Sequence, residues 1–308
     1  MQNISSEPAA RSTATSAAVL RALLEGVRPY QWLKSALVLV PLAAAHQLDD
    51  GALLARALRA VIAFSLCASS IYLLNDVWDA PADRLHPHKQ KRPIASGRLP
   101  RSYALIAAAL LLPAAIATSA PLGMRTTATL MAYFALMTAY TLRLKRVVLL
   151  DALVLGGGYA LRVVAGGFAV GIRPSARLLG FCIFLFFSLA LLKRYAELAL
   201  LRAREGPAAQ ARAYLLEDQE FMVALGVSCG ALSVLVLALY MGSETVARLY
   251  SRADFIWLTC VLLLYWVSHM WLMAHRGHMT DDPLVFALKD RVSGVLIVLM
   301  GISAWLAV

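Results

Sequence analysis

Charge is scarce in this chain. Only 15% of its 308 residues are Asp, Glu, Lys or Arg, and just 18 are acidic, whereas soluble domains carry roughly a quarter charged residues. With 60% hydrophobic residues and a positive mean hydropathy, this shortage excludes a water-soluble fold. Cysteine is scarce too. Cys67, Cys182, Cys229 and Cys260 each stand alone in an apolar run, without the short spacings of a metal site, and are read as buried free thiols. Residues 1–20 lack the apolar core of a signal peptide. They are rich in Ser, Ala and Thr, with Arg11 as their basic residue, and read as a disordered cytoplasmic tail. No polar stretch is long enough for a separate soluble domain, so 21–308 reads as one membrane domain.

Long apolar runs are what the chain has instead. A membrane-spanning helix needs about 20 apolar residues, and nine runs can be placed, near 33–46, 58–75, 102–120, 124–142, 147–170, 176–192, 220–241, 254–273 and 286–307. The expectation is an all-α polytopic membrane protein of about nine transmembrane helices around a central cavity. Net charge is +11, but its placement matters more than its size. Of 29 Lys and Arg, 21 fall in the N-terminal segment and alternate loops. By the positive-inside rule this puts the N-terminus in the cytoplasm and the C-terminus outside. The basic excess is then largely topological, and a nucleic-acid partner loses its support.

The chemistry concentrates in Ile71–Pro100, IYLLNDVWDAPADRLHPHKQKRPIASGRLP. At roughly 100° per residue, Asp76, Asp79 and Asp83 fall on one narrow arc, with Asn75 a turn below Asp79. Such like charges repel unless a cation joins them, and hard oxygen ligands suit Mg2+ shared with a phosphate. Pro81 is expected to break or kink the helix, which weakens the case for Asp83. Lys89, Lys91 and Arg92 follow in a proline-bounded loop, placing base beside acid as a metal-bridged diphosphate requires. A solvated acidic loop with a basic membrane anchor would read the same way. His86 and His88 form too weak a pair to be counted as ligands.

Tyr140, Lys145, Asp151, Tyr159 and Arg162 form a second polar group on the fourth and fifth runs. Asp151 and Arg162, eleven residues apart, return to nearly the same helical face, so that a cavity wall and a structural ion pair are both open. Gly156–Gly158 and Gly166–Gly167 permit close helix packing. A third group, Lys193, Arg194, Tyr195 and Glu197, ends the sixth run. Lys193 and Glu197 there are i, i+4 neighbours, as in an ordinary surface pair. Asp281-Asp282-Pro283, with Arg276 before it, makes one more polar turn.

Asn75-Asp76-x-x-Asp79-x-x-x-Asp83, followed by Arg92-Pro93-Ile94-Ala95-Ser96-Gly97, resembles the first aspartate motif of the UbiA-type intramembrane prenyltransferases. Arg28-Pro29-Tyr30-Gln31-Trp32-Leu33-Lys34 is similar to that family's N-terminal motif. The resemblance implies Mg2+ and a diphosphate substrate in a cavity between two acidic regions. Usual members carry a second D-x-x-x-D after the sixth helix, where this chain has Lys193-Arg194-Tyr195-Ala196-Glu197. That departure resembles the decaprenyl-phosphate phosphoribosyltransferase branch, as do Tyr140-x-x-x-x-Lys145-x-x-x-x-x-Asp151 and Leu161–Gly167.

The branch implies transfer of 5-phosphoribose from phosphoribosyl diphosphate to a polyprenyl phosphate, feeding cell-envelope polysaccharide, at the cytoplasmic side of a bacterial inner membrane. Asn75, Asp76, Asp79 and Asp83 are the expected metal ligands, and Asp76, Asp79, Lys193 and Glu197 the expected catalytic set. Lys34, Lys89, Lys91, Arg92, Tyr140, Lys145, Asp151, Tyr159, Arg162, Arg194 and Tyr195 are the expected substrate contacts. A homo-oligomer is left open. Two alternatives remain: prenyl transfer from a prenyl diphosphate to an aromatic acceptor, which the missing second motif disfavours, and a transporter, for which no inverted repeat is evident.

Overall fold

A computed structural model describes residues 16–85, 89–205, 214–241, 252, 254–279 and 282–307. Within them the chain forms α1 (Ser16–Val27), α2 (Val40–Ala44), α3 (Gly51–Leu85), α4 (Arg101–Ser119), α5 (Met124–Leu142) and α6 (Leu150–Val170). There follow α7 (Ala176–Glu205), α8 (Asp218–Met241), α9 (Asp254–His275), α10 (Pro283–Lys289) and α11 (Arg291–Ala307). Six segments, built on α3, α4, α6, α7, α8 and α9, are long and apolar enough to cross a membrane. Residues 1–15 of the expected tail lie outside the described residues, while 16–20 are already helical. His86, His88 and Asp281 also lie outside them.

The first expected run is not a regular helix. Arg28 sits in the left-handed region (φ 56), and Pro29 opens a 3-10 helix, Pro29–Leu39, that passes into the five residues of α2. The last run is split at Asp290, whose extended backbone ends α10. Its carboxylate accepts from Ser293 N at 2.7 Å and pairs with His269 at 2.9 Å, which caps α11.

Length explains how α3 and α7 carry the polar groups. Asp50 caps α3, its Oδ1 accepting from Ala52 N and Leu53 N at 2.8 and 3.0 Å. At 1.5 Å per residue the 35 residues of α3 reach about 50 Å, against a hydrocarbon layer of about 30 Å. The helix is therefore about four turns longer than a span requires, and Asn75 to Asp83 lie in its last four turns. Pro81 does not break the helix, which continues to Leu85 with Asp83 buried. The 30 residues of α7 likewise carry Lys193–Glu197 beyond its apolar part.

Consecutive helices pack side by side, α3 on α4, α5 on α6, α6 on α7 and α7 on α8, while α3 also meets α5 and α6. α6 is shared between two apolar cores. Val154, Ala165 and Ala169 join Phe64, Ile71, Leu130 and Tyr133, whereas Ala152 and Val163 join Phe186, Leu189, Met222 and Trp271. Its glycines set the closest approaches: a Cβ on Gly166 would stand 2.0 Å from Val38 O, and one on Gly156 3.2 Å from Phe187 N. Backbone, rather than a flexible side chain, lies opposite in each case.

One ion pair ties these layers together. Arg194 of α7 donates to Asp151 of α6 at 2.6 Å and to Tyr140 of α5 at 2.8 Å, with Arg194 and Asp151 each 1% exposed. Tyr214 O–H donates to the other Asp151 oxygen at 2.6 Å and accepts from Leu149 N at 3.0 Å, so all four elements share one network.

Two consequences are measurable on the purified protein by thermal unfolding in detergent. Gly166→Ala should cost about 1–3 kcal/mol or abolish folding, whereas Gly294→Ala, with nothing within 4 Å of the added methyl, should leave the midpoint unchanged. Asp151→Ala removes the buried carboxylate from Arg194, leaving it the part-exposed Glu197, and should cost about 3–5 kcal/mol; a midpoint like the native one would show that Arg194 does not depend on Asp151.

Candidate active site

Where α3, α5, α6 and α7 meet the segment 28–34 and the turn at 282–284, they enclose a cavity of about 270 Å³. Its wall is unusually ionic. Lys34, Asn75, Lys89, Arg92, Tyr140, Tyr159, Arg162, Lys193, Arg194 and Glu197, all read from the sequence as site residues, line it together.

The acidic face of α3 is held by cations. Asp76, buried, accepts from Arg28 at 2.6 and 2.9 Å and from Arg92 at 3.2 Å, and Arg92 reaches Asp83 at 2.7 Å. Asp79 instead turns to Lys145, at 2.6 and 2.8 Å. Arg92 thus joins Asp76 to Asp83, while Lys145 holds Asp79 separately. Among the described residues no three His, Cys, Asp or Glu side chains are gathered as metal ligands while these cations hold the carboxylates.

Across the cavity, Asp282 accepts from both Lys34 and Lys193 at 2.9 Å. Burial pushes this carboxyl up, but the Lys193 and Lys34 ammoniums more than offset it and hold it well below the usual carboxylate range. It is ionised at neutral pH. The Arg28 guanidinium, which burial alone would lower, is held up by Asp76.

The other expected residues divide. Lys145 and Asp151 stand behind the wall, on Asp79 and Arg194. Lys91 is exposed outside, and Tyr195 faces away, its O–H 3.1 Å from His275 Nδ1 and its ring beside Trp271. These two are not brought to the site, since Tyr195 follows Lys193 by about 200° around α7. The Asp151–Arg162 and Lys193–Glu197 pairs, which the spacing left open as alternatives, do not form. Asp151 takes Arg194, Arg162 takes Tyr133 O–H at 2.6 Å, Glu197 takes Arg194, and Lys193 takes Asp282.

Several lining residues escaped the sequence reading. Arg28 belongs to the Arg28–Lys34 stretch from which only Lys34 was drawn. Tyr133 precedes Tyr140 by two turns, a spacing that places both on one face of α5. Tyr72 lies one turn before Asp76, its ring 5.2 Å from the Arg28 guanidinium. Asp282 and Gln31 gave no signal from spacing, because they reach the cavity only through tertiary packing.

The donor set on α3, carboxylate and amide oxygens, is of the class that Mg2+ takes. Its partners are Arg28, Arg92 and Lys145.

Comparison with known proteins agrees with this architecture. A structure described as a UbiA homolog from Archaeoglobus fulgidus bound to GPP and Mg2+ shares the fold, with TM-score 0.68 and 16% identity over 92% of this chain and 99% of that one. A decaprenyl-phosphate phosphoribosyltransferase of Mycolicibacterium smegmatis is 32% identical over 89% of this chain and 88% of its own. The nodulation protein NoeC of Azorhizobium caulinodans is 33% identical over 91% and 90%. The uncharacterized protein y4nM of Sinorhizobium fredii is also 33% identical, over 88% of this chain, which spans only 52% of that longer protein. The model of the UbiA prenyltransferase family matches residues 35–288, and the chain accordingly belongs to this family of membrane transferases.

Proposed function

We propose that the protein transfers 5-phosphoribose from 5-phosphoribosyl 1-diphosphate to a polyprenyl phosphate of the decaprenyl type, with Mg2+, in the synthesis of cell-envelope polysaccharide. The observation that carries the reading is the make-up of the second region. Where the family's second acidic pair is expected, the cavity presents Lys193, Arg194 and Glu197, and Lys193 with Lys34 fully occupies Asp282. The acidic face of α3, which stands behind Arg28 and Arg92 of the wall, together with this cationic region suits a donor bearing phosphates at both ends. The M. smegmatis relative named for this reaction supports the choice.

In this reading Asn75, Asp76, Asp79 and Asp83 would hold Mg2+ on the donor's diphosphate, whose charge the ion offsets so that pyrophosphate leaves more easily. Arg28, Arg92 and Lys145, now on those carboxylates, provide the cations that orient the diphosphate. The acceptor phosphate is anionic at neutral pH and attacks C1 of the ribose without a general base. The wall therefore needs positioning and charge more than proton transfer. Tyr140 and Asp151 act at one remove by fixing Arg194, and Glu197 shares that guanidinium.

Membranes containing the protein, given radiolabelled phosphoribosyl diphosphate, decaprenyl phosphate and Mg2+, should yield labelled lipid, and chelation should abolish it. Label transfer from a prenyl diphosphate to an aromatic acid instead would overturn the assignment. Asp79→Asn should lower kcat by about 100-fold or more, the scale of removing one preorganised charge contact, with the protein still in the membrane.

We further infer nine crossings, α5, α11 and the 29–44 segment joining the six long spans, with the N-terminus and the cavity mouth in the cytoplasm of a bacterium. The basic bias of alternate loops supports it. Alkaline phosphatase fused after Val308 should then be active, and a fusion in the 92–100 loop inactive; the reverse pattern would invert the site.

A further inference from the structure

Most cavity-lining cations in this structure have an acid. Arg28 and Arg92 hold Asp76, Lys34 and Lys193 hold Asp282, and Arg194 holds Asp151 and Glu197. Arg162 is different. It lines the same cavity, is 4% exposed, and makes two hydrogen bonds, both to neutral groups: Tyr133 O–H at 2.6 Å and Gly158 O at 3.0 Å. Its Nε is buried without a partner. Tyr133 and Tyr159 lay their rings 4.5 and 5.6 Å from its guanidinium carbon.

Aromatic faces attract a cation but do not neutralise it, and an unpaired charge taken out of water is expensive. Three of the five guanidinium donors are left over, in a planar fork that matches a phosphate. The missing counter-charge is therefore one that arrives with a ligand. Arg162 stands twelve residues into α6, about 18 Å along its axis, and its hydrogen bonds go to none of the α3 carboxylates.

We infer that Arg162 is the seat of a phosphate monoester, with Tyr133 and Tyr159 holding the guanidinium flat to receive it. The inference rests on the proposed function for the two substrates that carry such a group, the donor through its 5-phosphate and the acceptor through its lipid headgroup. Arg194, beside it in this region, has Asp151 and Glu197, and Lys193 shares Asp282 with Lys34, so that both reach a carboxylate and Arg162 does not.

The test is titration calorimetry on the full chain in nanodiscs with two probes, ribose 5-phosphate and geranyl phosphate, and with pyrophosphate plus Mg2+ as a third arm. Arg162→Gln should weaken one of the two monoesters by about 30-fold or more, the scale of lost charge-assisted hydrogen bonds. Arg162→Lys, which keeps the charge but not the fork, should weaken the same probe less, and pyrophosphate binding should stay within about 3-fold of the native protein, as no purely structural defect would allow. The probe that is lost identifies the substrate. Equal binding of both monoesters by native protein and Arg162→Gln, or no binding of either by the native protein, overturns the inference. Should the Gln variant not fold, the Lys variant decides, since unchanged affinity for both monoesters there counts equally against it. None of these arms requires phosphoribosyl transfer, so failure of that reaction and failure of the Arg162 site are separate results.

Discussion

The buried contact between Arg194 and Asp151 sets the frame on which the cavity depends. Taking both charges out of water is costly, and the structure offsets the cost by completing their hydrogen bonds: Asp151 also receives Tyr214, and Arg194 also reaches Tyr140 and Glu197. Because the partners come from α5, α6, α7 and the chain after α7, satisfying the charges fixes the rotation of α7. Successive residues on a helix are about 100° apart. With Arg194 turned inward to α6, Lys193 is directed to Asp282 and Tyr195 to His275 and Trp271. The pattern of charge on this side of the cavity follows from that one rotation.

On the opposite side the same principle operates with less burial. Asp76, Asp79 and Asp83 would repel one another across successive turns of α3, and the fold answers with Arg28, Arg92 and Lys145 drawn from three separate segments. Backbone strain accompanies this supply. Arg28 and Leu149, next to the two ends of the ionic wall, are held at φ 56 and φ 63, a conformation that costs roughly 1–3 kcal/mol for a residue other than glycine. Arg28 stays there because its guanidinium is bound to Asp76, and Leu149 because its N–H is taken by Tyr214. Two of the three non-glycine residues at positive φ among those described thus belong to the network that shapes the site, the third being His46 in the turn after α2.

Much of this was legible in the sequence. The apolar runs located the long helices, since composition over twenty residues decides whether a segment leaves water. The helical spacing of Asn75 to Asp83 located the acidic face. What stayed hidden were the pairings. Asp151 and Arg162 share a face of α6 and invite an intrahelical link, yet each turns to another helix, Asp151 to Arg194 and Arg162 to Tyr133, because burial selects partners by geometry rather than by sequence distance. Pro29 and Asp290 were visible, but the 3-10 segment and the break between α10 and α11 that they produce are decided by local backbone and caps within stretches that remain apolar. Asp282 reads as an ordinary polar turn until tertiary packing brings two lysines to it.

The exchange of a second acidic pair for Lys193 and Glu197 changes more than one contact. Two facing acidic regions would make a cavity that binds substrate anions chiefly through added metal. Here Asp282 is outweighed by two ammoniums, Glu197 is tied to Arg194, and Arg162 carries a positive charge that no carboxylate among the described residues answers. The cavity floor is therefore electropositive before any ion is added, in a low-dielectric setting where such a charge is felt strongly. A substrate with a single diphosphate and an apolar tail would leave that charge unmatched, whereas one with a further phosphate would answer it. Electrostatic balance inside the membrane thus argues for a phosphorylated sugar or lipid headgroup in this chamber.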